Sequence, residues 1–246
     1  MNIAFYSGVS GMVAYQQEMD VLANNIANVG TTGFKPSKAS FSDLLYTKMD
    51  INAEEKPLTG HGVKVADTQL RYKQGTPNAT NNGLDFALLG EGFFAVERDG
   101  KTEYTRNGAF DVSMEGKKGY LVTTDGAYVL DAKGKQIDLK QLPNSNLYDL
   151  EGIADRLGVY TFSNPYGLQP TSGSSFLETE NSGTATAVKN NKKDLPYQLL
   201  TQTLESSAVD LSEEMVNMIM TQKAFQFNAK IVQTADEIEE VVNNLR

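Results

Sequence analysis

From Tyr197 to Arg246 the chain runs fifty residues without a glycine or a proline. Elsewhere it uses these helix-ending residues freely, with 21 Gly and 7 Pro in 246 residues. A stretch this long without them, patterned with apolar residues, has few options besides a long helix. Asp210 and Glu213 supply a D-x-x-E start, with Asp210 as N-cap and Glu213 at the third helical position. Leu211, Met215, Met218, Gln222, Phe225, Ala229, Val232, Ala235, Ile238, Val242 and Leu245 then follow at steps of three or four almost throughout. This is the seam of a coiled coil, roughly 35 residues or about 50 Å long.

The other end carries a matching signal. The pattern predicts a helix from about Asn2 to Asn28, ending near Gly30, with Lys35 before Pro36 biased to an extended conformation. Phe5, Met12, Met19 and Ile26 recur every seven residues, with Val9, Gln16 and Ala23 between them and Tyr15, Leu22 and Val29 as a second row. Ser7, Gly8, Ser10, Gly11, Ala14 and Asn24 are small or polar, and residues 1–34 carry only Glu18 and Asp20 as charges. An ordinary surface helix has a charged outer face. This one is built to be contacted on several sides.

Between the ends the period changes. Leu84–Leu89, Gly92–Glu97, Tyr120–Thr124, Ala127–Leu130, Val159–Phe162 and Phe176–Thr179 read as strands, and Asp99-Gly100 and Asp125-Gly126 as hairpin turns. The expected fold class is α+β: terminal helices paired as a coiled-coil-like domain, with an inserted mainly-β middle domain. The boundaries read as a helical domain of 1–34 and 205–246, an exposed connector at 35–62, a β domain at 63–196 and a linker at 197–204. The pairing could be parallel or antiparallel. Either way two helices leave apolar rows uncovered, which implies neighbouring subunits.

Composition narrows the function. A net charge of -9 argues against a general phosphate-backbone binder. With no Cys and one His, His61, thiol chemistry and multi-His metal sites are excluded. No run of about 18 apolar residues is present, so no membrane span is expected. The first 34 residues hold no Lys or Arg, so export would use a route other than a basic secretory signal.

Gly90-Glu91-Gly92 lacks the third glycine and the following helix of a dinucleotide loop. Gly8-Val-Ser-Gly11 lies in a helix rather than after a strand, so it is no nucleophile elbow. His61 reads as a solvated loop residue, Asn78-Ala79-Thr80 as a chance glycosylation triplet, and Met215, Met218, Met220, Phe225 and Phe227 as seam packing. Asp99, Asp111, Asp125 and Asp131 fall mainly at turns, and their spacing gives no support for a glycosidase pair. A secreted glycan- or protein-binding module, or a hydrolase using these carboxylates, would not need such termini.

Three linked motifs carry a resemblance. Leu22-Ala-Asn-Asn-Ile-Ala-Asn-Val-Gly-Thr-Thr-Gly-Phe-Lys35 resembles the N-terminal signature of the bacterial flagellar rod and hook proteins. Gln74-Gly75, Asn82 to Val96 and Tyr104-Thr-Arg-Asn-Gly-Ala-Phe110 are similar to the family's β-domain motif, and Glu205 to Ile219 with Gln222 to Phe225 to its C-terminal signature. The run Glu213–Ile219 is most like the distal-rod branch; proximal rod and hook-type axial branches stay open. The resemblance implies a non-enzymatic structural subunit with no cofactor, polymerising helically into the basal-body drive shaft and forming part of the export channel. Implied partners are copies of itself, other rod and hook subunits, the flagellar type III export apparatus and the rings around the rod. The residues expected at subunit contacts are Phe5, Val9, Met12, Met19, Leu22, Asn24, Asn25, Ile26, Asn28 and Phe34, with Leu211, Met215, Met218, Phe225, Val232, Ile238 and Leu245.

Overall fold

The computed structural model describes residues 3–48, 58–115, 118–139, 152–188 and 197–245. The polar stretch leading to Pro57 and the position of Pro196 lie outside the described residues. Three α-helices are present among those described: α1 (Ile3–Ala27), the single turn α2 (Ile153–Arg156) and α3 (Leu211–Asn244). The chain divides into two compact units. One comprises Met1–Ala27, Ser37–Gln69 and Asp210–Arg246; the other comprises Asn28–Pro36 and Leu70–Val209. The architecture is α+β, with terminal helices on either side of a mainly-β middle.

In the helical unit, α3 starts where the sequence places it. The Asp210 carboxylate accepts hydrogen bonds from the Ser212 and Glu213 backbone N–H groups at 3.0 and 3.2 Å, satisfying two orphan donors of the first turn. α1 and α3 pair antiparallel: Asn25 meets Glu214, Glu18 meets Thr221, and Gly11 meets Asn228. Each step of seven up one helix is a step of seven down the other.

The same unit contains strands where an exposed connector was expected. Ser37–Asp43 pairs with Val63–Leu70, and Tyr46–Lys48 pairs with Leu58–Gly60. α1 supports this ribbon through side chains. Asn25 Nδ2 donates to the Ser37 carbonyl at 2.8 Å and Asn25 Oδ1 accepts from the Ser37 N–H at 3.0 Å, as a strand neighbour would. The Val63 N–H donates to Ser10 Oγ at 3.3 Å, and the Tyr15 and Phe41 rings lie 5.6 Å apart. The strand signal is weak in sequence because much of the support for Ser37–Asp43 comes from side chains of a helix, which no strand periodicity announces.

In the β unit, Phe93–Arg98 and Lys101–Thr105 form the hairpin announced by Asp99-Gly100, both of which adopt positive φ (51° and 75°). The sheet runs in the order Asp138–Leu139, Lys118–Thr123, Tyr128–Val129, Phe93–Arg98, Lys101–Thr105, Ser175–Leu177, Gln169–Pro170, with Phe110–Glu115 paired to Lys118–Thr123. Side chains alternate on Phe93–Arg98: Phe94 and Val96 join a core with Phe110, Leu121 and Ile137, while Phe93 and Ala95 join one with Tyr104, Phe162 and Phe176. The expected linker 197–204 is instead two strands, Tyr197–Thr201 on Phe86–Gly90 and Thr203–Glu205 on Pro77–Ala79.

Candidate assembly surface

The face that α3 turns to α1 is made of Glu214, Thr221, Asn228 and Ala235, seven residues apart, of which Glu214, Thr221 and Ala235 are buried. From α1 come Gly8, Gly11, Ala14, Leu22 and Asn25, all buried. The glycines allow close approach: a Cβ on Gly8 would lie 2.9 Å from Val232 Cγ2, and one on Gly11 would lie 2.8 Å from Asn228 Oδ1. Polar groups inside the seam are paired, with Asn25 Nδ2 donating to Glu214 Oε2 at 3.3 Å and Thr221 Oγ1 donating to Glu18 Oε2 at 3.0 Å.

Because small and polar residues close the pair, large apolar ones remain outside. Ile219, Met220 and Phe227 are 58%, 64% and 66% exposed, and Met215, Val216, Ile231, Ile238, Val241, Val242 and Leu245 are exposed with them. On α1, Ile3, Tyr6 and Val13 are exposed. Ala4, Phe227, Lys230, Ile231, Thr234, Ala235 and Ile238 line a groove of about 520 Å³ between the two helices. No helix among the described residues is long and apolar enough to cross a membrane.

The residues singled out in the sequence divide accordingly. Met218, Phe225 and Val232 are half-buried beside the Glu214–Ala235 row, whereas Leu211, Met215, Ile238 and Leu245 face outward. The seam therefore joins the row Met218–Phe225–Val232 to the row three residues on, and leaves Leu211 and Met215 outside. On α1, Phe5, Val9, Met12, Met19 and Ile26 are half-buried, Leu22 and Asn25 buried, and Asn24 exposed. Asn28 and Phe34 belong to the β unit. There the Asn28 amide oxygen accepts from Thr31 Oγ1 at 3.0 Å, and the Phe34 carbonyl accepts from the Ala208 N–H at 3.0 Å.

Sequence reading passed over one constellation in the β unit. Lys35, Arg106 and Glu205 meet in its interior, their side chains at most 1% exposed. Lys35 Nζ donates to Glu205 Oε1 at 2.6 Å and to the Lys73 carbonyl at 2.6 Å; Arg106 Nη1 donates to Glu205 Oε2 at 3.3 Å and to the Leu88 carbonyl at 3.1 Å. Arg106 Nη2 donates to the Gly90 carbonyl at 2.5 Å and to the Tyr72 hydroxyl. Two cations share one carboxylate, and the remaining positive charge lies against ring faces: Arg106 is 5.1 Å from the Tyr72 centroid and 5.5 Å from that of Phe93, and Lys35 is 5.2 Å from Tyr72. Burial holds the Lys35 ammonium and the Arg106 guanidinium below their usual ranges, against the opposing pull of Glu205. Each of the three residues lies inside one of the three motifs; no local pattern says that they meet.

The turn carboxylates stabilise turns. Asp131 Oδ1 accepts from the Lys133 and Lys135 N–H groups at 2.6 and 3.0 Å, and Asp125 lies 3.4 Å from Arg98 Nη2. His61 Nε2 lies 2.8 Å from Thr47 Oγ1, so it has a partner rather than water alone.

Comparison with known proteins agrees with this layout. Residues 5–35 match the family described as Flagella basal body rod protein, residues 87–153 the Flagellar hook protein FlgE/F/G D1 domain, and residues 200–245 the Flagellar basal body rod FlgEFG protein C-terminal family. The chain is 33% identical to Flagellar basal-body rod protein FlgG of Bacillus subtilis (strain 168), with 99% of this chain and 98% of that one covered. It is 34% identical to the FlgG of Borreliella burgdorferi, again over 99% and 98%. Flagellar hook protein FlgE of Helicobacter mustelae is 40% identical, but over 52% of this chain and 30% of the hook protein. The similarity to rod proteins runs from end to end and spans both helices and the β unit between them, so the chain belongs to the FlgG family of flagellar basal-body rod proteins, structural subunits of the basal-body rod.

Proposed function

We propose that the chain is a distal-rod subunit that polymerises helically through the outward apolar face of its helix pair. In this reading the helices line the inner shaft, which carries torque from motor to hook and encloses part of the export channel. The subunit contacts copies of itself and neighbouring rod and hook subunits, is delivered by the flagellar type III export apparatus, and turns within the surrounding rings. The observation that carries this reading is the exposure of Ile219, Met220 and Phe227 on a pair whose inner face is already closed by paired polar groups. Apolar surface of this extent on a folded unit marks an interaction site.

The test substitutes Ile219→Glu together with Met220→Glu and compares Lys101→Glu, an exposed change on a β hairpin. Burial of each apolar side chain is worth roughly 1.5–3 kcal/mol per subunit contact. The double variant keeps its circular dichroism and stays monomeric in sedimentation at concentrations where wild type and Lys101→Glu form tubes or fibres. Equal assembly by all three would refute the reading.

A further inference from the structure

We propose that Lys35, Glu205 and Arg106 form a clamp that fixes the points where the chain enters and leaves the β unit, with Glu205 as its keystone. The segment Asn28–Pro36 follows α1, and Glu205–Val209 leads into α3; both belong to the β unit. They are laced together, the Gly33 N–H donating to the Glu205 carbonyl at 2.8 Å and the Ala208 N–H to the Phe34 carbonyl at 3.0 Å. The charges then pin this pair inward. Glu205 Oε1 also accepts from the Gly75 N–H at 2.8 Å, so one carboxylate gathers Lys35, Arg106 and the Gly75 backbone.

Two glycines make room for this. Gly33 sits at φ +68°, and a Cβ there would lie 2.7 Å from the Arg106 carbonyl carbon; a Cβ on Gly75 would strike the Ser206 carbonyl oxygen. A buried charge cluster is a poor way to gain bulk stability, since apolar residues of equal volume serve as well. Its advantage is directional: only one register of the segments satisfies all three charges. The partners lie 170 and 99 residues from Glu205, so the clamp closes only when both chain ends have arrived. The clamp stands independently of assembly; its bearing on torque, as the point through which load reaches the helices, rests on the rod reading.

The charge count gives a distinctive test. Glu205→Gln leaves two buried cations without an anion. Lys35→Met leaves the neutral Arg106–Glu205 pair. The double variant leaves one cation, so the second substitution relieves the first. Hydrogen exchange on the monomeric full-length chain reads this locally. In Glu205→Gln, the Gly33, Gly75 and Ala208 amides exchange about tenfold faster or more, while core amides of Phe93–Arg98 change by less than about threefold. Lys35→Met gives a smaller acceleration confined to the same amides, and the double variant falls between the singles. The clamp is overturned if Glu205→Gln is no worse than Lys35→Met, if the double variant is worse than both, or if core and clamp amides accelerate alike. Should Glu205→Gln fail to fold, Lys35→Met decides: local acceleration supports the clamp, and unchanged exchange overturns it. Monomer exchange and polymer formation are read separately, so failure of the clamp is distinguishable from failure of the assembly reading.

Discussion

At Asn25 one side-chain amide takes the place of a strand partner for Ser37 and also reaches Glu214 on α3. The motif containing it was legible, but its contacts within the chain were not, because Ser37 and Glu214 lie 12 and 189 residues away. Gly11 was legible as a site of close approach, since small residues among few charges say so directly. Gly11→Leu is expected to overpack the seam and cost up to about 2 kcal/mol net, the strain of about 1–3 being offset by roughly 0.8 of better helix propensity. Urea unfolding followed by helical circular dichroism measures this; an unchanged midpoint would show that Asn228 swings clear without loss. Tyr104 makes a pH prediction. Burial first, then the Glu178 charge, push its phenol up to about 12 from the ordinary 10. The folded state therefore holds the proton longer than the unfolded chain, and the stability this contributes is complete below pH 10 and is lost as pH rises toward 12. Relative to Tyr104→Phe, wild type becomes progressively less stable over that window. A constant difference between the two would place Tyr104 in contact with water.

α3 was the most legible element, its start, length and one of its two rows following from spacing and capping alone. The other row turns away from α1, a distinction that apolar periodicity cannot make when an inner and an outer stripe both exist. α1 resolves the ambiguity by offering glycine and alanine, against which Thr221, Asn228 and Ala235 fit and Met215 would not. The strands Ser37–Asp43 and Val63–Leu70 escaped for a related reason: side chains of α1 support them at Ser37, Phe41 and Val63, and neither strand alternates strongly. Asp210→Ala removes the acceptor of the Ser212 and Glu213 N–H groups and is expected to cost about 1 kcal/mol of helical-unit stability, measured as a shift in the urea midpoint. No shift would mean that the first turn of α3 contributes nothing to the pair.

At the scale of the molecule, the chain crosses between its two units at the ends of α1 and α3 and at 36–37 and 69–70. The Arg71 N–H donates to the Pro36 carbonyl at 2.7 Å, so a short glycine-serine bridge can replace 37–69 without stretching the β unit. A chain of 28–209 with that bridge is expected to unfold in one cooperative transition, since its cores, its strands and the clamp are all internal to it. A broad, non-cooperative melt would show that the helices complete its core. The ends differed from the middle plainly in charge and period, whereas 28–36 and 205–209 join the β unit through long-range backbone pairings and buried charges that no window of sequence displays. Assembly through the outer face of α3 can be tested most directly because the chain has no cysteine. Single substitutions Ile219→Cys, Phe227→Cys and Lys133→Cys place one thiol each on the outer helix face or on a β turn. In monomers all three react rapidly with a maleimide. In polymers the thiols at 219 and 227 are expected to be protected at least about tenfold while the thiol at 133 reacts as before. Equal reactivity at 219 and 227 before and after polymerisation would contradict assembly through this face.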